Sequence, residues 1–225
     1  MTSDYHKIID GIARGDAIGG PTALAEIVAE SLIAHSGLEI RDITRRYLGW
    51  WQGEAFDTGP TFEWVFQNID SGMEPATAVS AAHAALGGVS AGCGPVHRNN
   101  VIAACPFIST DDLPDAARAE AFITHLDPVA GDAAAVVSLL CRHLLEGTSW
   151  SAAMELVAKH PKTQGAFASI MVRPLDPSGF ALDVVRAAIH FMGAEDALKE
   201  ASAFAGTNNY CPVIVGAMVG ACSNL

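Results

Sequence analysis

The sequence predicts an all-α fold, and three observations carry that reading. Apolar residues recur at spacings of three and four along most of the chain. Runs that alternate apolar and polar residues, as half-buried strands require, are nearly absent. Alanine, the best helix former, is abundant. The 225 residues suffice for one large domain with its own core. Residues 1–225 therefore read as a single domain of about ten helices, with no linker and no repeat of fixed period.

The helices follow in order. Ile8, Ile9 and Ile12 share one face of a short first helix, and Leu24, Ile27, Val28, Leu32 and Ile33 continue the pattern in a second. Ile43, Tyr47, Leu48 and Trp51 do the same within 40–51. Helices are expected over 61–69, 75–86, 116–123, 129–145, 150–157, 180–191 and 194–204. The last is apolar, Val213 to Ala221, with Gly216, Ala217, Gly220 and Ala221 small enough for close packing.

Composition narrows the function classes. Half of the residues are hydrophobic and only 17% are charged, which fits a packed globular chain. The 13 Lys and Arg against 25 Asp and Glu leave a net charge of −12. Nonspecific nucleic-acid binding depends on clustered cations, so no nucleic-acid partner is expected. A small anion is still compatible, held by backbone N–H groups and one or two Arg. No apolar run reaches the ~18 residues of a membrane span, so no membrane partner is expected. The five cysteines are odd in number, widely spaced and without a C-x-x-C pair. They read as reduced thiols of a cytoplasmic protein rather than a zinc cluster.

Glycine and proline gather with polar residues at 15–21, 53–60, 87–95 and 206–212, each between helices. Such loops on a rigid scaffold are where sites form. In the first, Asp16 is either a chemical group or a helix cap. In the second, Asp57 with Thr58 and Thr61 offers hard oxygens suited to Mg²⁺, or ordinary caps. In the third, Gly92, Cys93 and Gly94 precede His97 and Arg98. Bare N–H donors followed by a guanidinium suit a phosphate, and His97 suits a general acid or a hydrogen-bond donor. His125, in Thr124-His125-Leu126-Asp127-Pro128, is either a ligand contact or a structural histidine. The last loop, Gly206-Thr207-Asn208-Asn209-Tyr210, opens onto the apolar helix.

Taken in order, these segments resemble the ADP-ribosylglycohydrolase family. The matching features are a G-D-A-x-G loop, an Asp/Thr loop before a helix, a G-x-G-x-x-x-R loop, a T-H-x-x-P segment, and a polar loop before a G-A-x-x-G-A helix. The resemblance implies an all-α fold, two Mg²⁺ ions and release of ADP-ribose from modified side chains. The chain departs from the pattern in three places. Where the family has T-D-D-T, it has Phe56-Asp57-Thr58-Gly59-Pro60-Thr61; where the family has G-D-x-D-[ST], it has Thr207 and Asn209 in place of both Asp; and Ala23 stands where a Glu is frequent. The missing carboxylates imply one weak Mg²⁺ site at most, at Asp57, Thr58 and Asn209, or none.

The expected function is cleavage of a glycosidic bond at the ribose of an ADP-ribosylated or nucleotide-like substrate. Asp57, Asp16 and His97 are the catalytic candidates. Gly92, Cys93, Gly94, Arg98, His125 and Tyr210 are the ligand contacts, Tyr210 as a stacking ring. The alternative is an inactive ADP-ribose or nucleotide binder of the same fold.

Overall fold

The computed structural model describes residues 3–53 and 55–222. Among them are twelve α-helices and one 3-10 helix, with no strand. The first six α-helices are α1 (Ser3–Gly15), α2 (Gly20–His35), α3 (Ile40–Gln52), α4 (Gly59–Asp70), α5 (Pro75–Ala85) and α6 (Leu113–Ala121). The rest are α7 (Pro128–Leu145), α8 (Trp150–Lys159), α9 (Gln164–Met171), α10 (Ala181–Phe191), α11 (Ala197–Ala205) and α12 (Cys211–Ala221). Two helical segments were not expected. The 3-10 helix Asn99–Ala104 starts on two asparagines, and α9 is eight residues long with only Ile170 buried, too little for a visible period.

The glycine–proline punctuation sets where these helices begin. Pro lies at the first or second position of α2, α4, α5, α6, α7 and α12, where its missing N–H costs nothing and its fixed φ suits a helix. The starts of α2, α4 and α12 follow the polar loops and bring them to the same end of the molecule.

α7 runs through the core. Asp127 caps it by accepting from Val129 N at 3.0 Å. It is long and apolar enough on average to cross a membrane, a length the sequence reading did not credit, but 72% of it is buried inside the protein. That burial marks a core helix.

α1 and α12 pack backbone to backbone. A Cβ on Gly11 would lie 2.1 Å from the Gly216 carbonyl oxygen, and one on Gly216 would lie 2.1 Å from that of Gly11. Gly15 against Pro212 and Gly220 against Lys7 repeat the contact. The small-residue stripe of α12 is therefore a helix–helix seam, which fixes the start of α12 against the end of α1. Gly216→Ala should cost about 3 kcal/mol, because the obstacle is backbone rather than a movable side chain. Gly49→Ala in α3, where the added Cβ meets nothing within 4 Å, should instead gain up to about 1 kcal/mol from helix propensity. Urea midpoints of the two variants check both signs. A stabilised Gly216→Ala would mean the seam is misread.

Candidate active site

Three loops and two helix starts meet in a cavity of about 370 Å³. Asp57 to Phe62 form one wall, and Gly92 to Gly94 with His97 and His125 form another. Thr207, Asn208 and Tyr210 close it from the α12 side. A second cavity, about 300 Å³, lies behind Tyr210 and Thr207 and is lined by Asp16 and Asn209.

Asp57 has a left-handed backbone, φ 53°, which Asp tolerates better than most side chains. It fits against the start of α2 only because residue 20 is Gly. A Cβ there would sit 2.8 Å from the Asp57 Cβ. Tyr210 donates its hydroxyl to Asp57 Oδ1. Oδ2 is buried without a hydrogen-bond partner. Burial raises the Asp57 pKa above the usual carboxylate range. The Tyr210 hydrogen bond opposes that rise and the charge of Asp16 adds to it.

The Tyr210 ring lies against the His97 ring, centroids 4.8 Å apart. Burial, and then Asp57 itself, raise the phenol's pKa, so it stays a donor. His97 is buried with Nδ1 unpartnered. Its burial, assisted by the neighbouring Arg98 charge, lowers its pKa to about 3. At neutral pH the ring is uncharged and suited to giving or taking a hydrogen bond, not to acting as a strong acid.

His125 is also buried and held well below its usual pKa by burial, then by Arg98 and His97. Thr124 Oγ1 lies 2.7 Å from its Nδ1 and accepts from Arg98 at 2.8 Å. An arginine only donates, so the Thr124 hydrogen is left for His125 Nδ1. That places the ring proton on Nε2, beside Gly92 and Gly94. These glycines make room for the ring: a Cβ on Gly94 would sit 2.9 Å from His125 Cε1.

Arg98, expected as a phosphate fork, is placed elsewhere. It is 1% exposed and lines neither cavity. Its Nε donates to Glu120 Oε1 at 2.7 Å, and its guanidinium lies 5.3 Å over the Tyr47 ring. Glu120 also accepts from Tyr47 OH at 2.7 Å and from Asn99 Nδ2 at 3.0 Å. The sequence reading missed Glu120, Tyr47 and Asn99. The available signal was an acid on the apolar face of α6, in register with Leu113 and Ala117.

Asp16 is taken up as a cap. Its Oδ1 accepts from Ile18 N and Gly19 N, and its Oδ2 from Thr22 N and Oγ1, at 2.7 to 3.1 Å. Asn209 accepts from Cys211 N at 2.9 Å and donates to Asp176 and Ser178 carbonyls at 3.2 and 2.9 Å. Its amide is therefore engaged with the loop, both Nδ2 hydrogens donated and Oδ1 already accepting one bond. Thr58, without a side-chain capping bond, lines the main cavity beside Asp57. The Cys93 thiol is buried, and burial pushes its pKa up to about 12, so it is no nucleophile at neutral pH.

These donors do not fit a pair of Mg²⁺ ions. Among the described residues, no three His, Cys, Asp or Glu cluster in a way that could hold a metal. Asp57 is a lone carboxylate with one oxygen buried and the other bound by a phenol. Two dications need several anionic oxygens.

A protein-family model described as ADP-ribosylglycohydrolase matches residues 16–224. The chain belongs to the ADP-ribosylglycohydrolase family. A search of curated proteins finds no match. Among solved structures, one described as an "ADP-ribosylglycohydrolase-related protein complex" superposes with a TM-score of 0.68. The alignment covers 99% of this chain and 89% of that one at 20% identity, which establishes the shared fold. The ADP-ribosylglycohydrolase fold thus accounts for the helix order, while the side chains in the cavity are this chain's own.

The two neutral histidines set an acid limit on stability. Their folded pKa values are depressed, so below the ordinary value of 6.5 the unfolded chain binds protons that the native chain does not. Stability is therefore full above that pH and falls as pH drops, by about 1.4 kcal/mol per unit for each ring. Urea midpoints at descending pH should show this loss. His97→Asn should roughly halve the slope; an unchanged slope would show that His97 is not held neutral.

Proposed function

We propose that this chain hydrolyses a glycosidic bond at the anomeric carbon of a ribosyl group, in an ADP-ribosylated or nucleotide-like substrate. The observation that carries the reading is Asp57: a carboxylate of raised proton affinity, in a left-handed turn, opening onto the main cavity. Cleavage at a ribose passes through an oxocarbenium-like state. Asp57 stabilises that positive charge and takes the proton of the attacking water through Oδ1. Tyr210 holds the same oxygen in place, and His125 offers Nε2–H to a sugar hydroxyl. No step is routed through a metal ion, because the donor set does not fit a pair of Mg²⁺ ions.

Binding without turnover is the second reading. What favours it is the loss of the family's carboxylate pair to Thr207 and Asn209. The test is incubation of the purified chain and of Asp57→Asn with ribosyl and ADP-ribosyl compounds in the presence of a chelator. Turnover lost in Asp57→Asn supports the hydrolase. Ligand binding with no turnover in either protein supports the binder.

A further inference from the structure

The main cavity is poorly made for a diphosphate. Neither Lys nor Arg lines it or the cavity behind Tyr210. The nearest guanidinium, Arg98, is neutralised by Glu120 in the core. Several of the backbone donors that the sequence offers for phosphate are already used. Asp16 takes those of Ile18, Gly19 and Thr22, and Asn209 takes that of Cys211. In the glycine-rich loop, the amides of Cys93, His97, Arg98 and Asn99 donate to backbone carbonyls. The start of α4 is open to the cavity with no side-chain cap, but Asp57, just ahead of it, answers its fractional positive charge. A phosphate here would meet a carboxylate and no cation, in a chain of net charge −12.

The same wall lacks a side chain ready to protonate a leaving group. Tyr210 gives its hydrogen to Asp57. His97 and His125 are uncharged rings at neutral pH. A nitrogen leaving group that departs neutral without taking up a proton is already cationic while attached.

Resting on the hydrolase reading above, we propose that the cavity takes a phosphate-free N-riboside with a pyridinium-type leaving group, in preference to its diphosphate-linked counterparts. The C1′–N bond breaks and its electron pair goes to the ring nitrogen, which leaves as a neutral pyridine. A water oxygen forms the new bond to C1′. One water proton stays on the sugar hydroxyl, and the other passes through Asp57 to solvent. The face of Asp57 attracts the positive ring in the ground state and the positive sugar in the transition state.

Nicotinamide riboside and NAD⁺ are matched probes, since they share the scissile bond and differ in the phosphates. Nicotinamide release would be measured for both in a chelator at low and high salt. Binding to Asp57→Asn would be measured by calorimetry. The expected result is a riboside preference of about tenfold or more, in turnover or in binding, that narrows as salt screens the repulsion. Thr207→Arg, an exposed rim position shared by both cavities, should shift the ratio toward NAD⁺ several-fold. Equal or better use of NAD⁺, or no binding of either probe, overturns the proposal. Preferential turnover of NAD⁺ or an ADP-ribosyl compound would do so while leaving the hydrolase reading intact. Riboside binding without turnover of any compound would keep the cavity's preference and remove the hydrolase.

Discussion

Glu120→Ala is expected to destabilise the protein by about 3–5 kcal/mol, a large share of the whole stability of a typical domain. Glu120 is fully buried and Arg98 is 1% exposed, so solvent does not screen the pair. One carboxylate serves three donors: Arg98 Nε, Tyr47 OH and Asn99 Nδ2. Truncation leaves a buried cation, a phenol and an amide without their acceptor, and each loses its desolvation compensation. Removing both charges is a different experiment. Arg98→Met with Glu120→Leu should recover the part of the loss due to the stranded cation, since buried ion pairs cost about as much to desolvate as they return. Urea denaturation of the single and double variants separates the terms. A loss under about 1 kcal/mol for Glu120→Ala would mean the pair is more solvated than its burial indicates. The double variant also tests the tautomer argument, because Arg98 occupies the Thr124 oxygen and so leaves the Thr124 hydrogen to His125.

The same network shows what the sequence disclosed and what it hid. The helices were legible because their period is local: Ile8, Ile9 and Ile12 need only their neighbours to declare a face. The seam of α12 was legible too, since Gly216 and Gly220 stand one turn apart. Arg98 was misread because a cation after four glycines looks built for phosphate, while its partner Glu120 lies 22 residues on, in another helix. The glycines misled for a related reason. Gly92 and Gly94 give backbone room to His125, which no local pattern announces. Asp16 could be read either way, and its cap partner Thr22 is six residues away. The pairing of Asp57 with Tyr210 spans 153 positions and is visible only once α4 and α12 are packed.

Asp57→Asn is expected to cut turnover by about a thousandfold while leaving the fold intact. The substitution is nearly isosteric. Asn accepts the left-handed backbone at φ 53° as readily as Asp, and its amide oxygen still takes the Tyr210 hydrogen bond. What it removes is the negative charge and the basic oxygen. For stability, the folded pKa of Asp57 is raised, so the native state favours the protonated form and the ionised form is a burden at neutral pH. That burden sets in as pH rises from the unfolded pKa through the folded one. Asp57→Asn should therefore match or exceed the stability of the parent at pH 7, which separates lost chemistry from lost structure. The rate profile follows the same sign. On the hydrolase reading, turnover requires ionised Asp57, so it rises as pH passes the raised pKa and levels off above it. His97 and His125 add no falling limb there, because they are already neutral. A variant that keeps full turnover would remove Asp57 from the chemistry. A profile that falls between pH 6 and 8 would point instead to a histidine acting as an acid, against the burial that holds both rings uncharged.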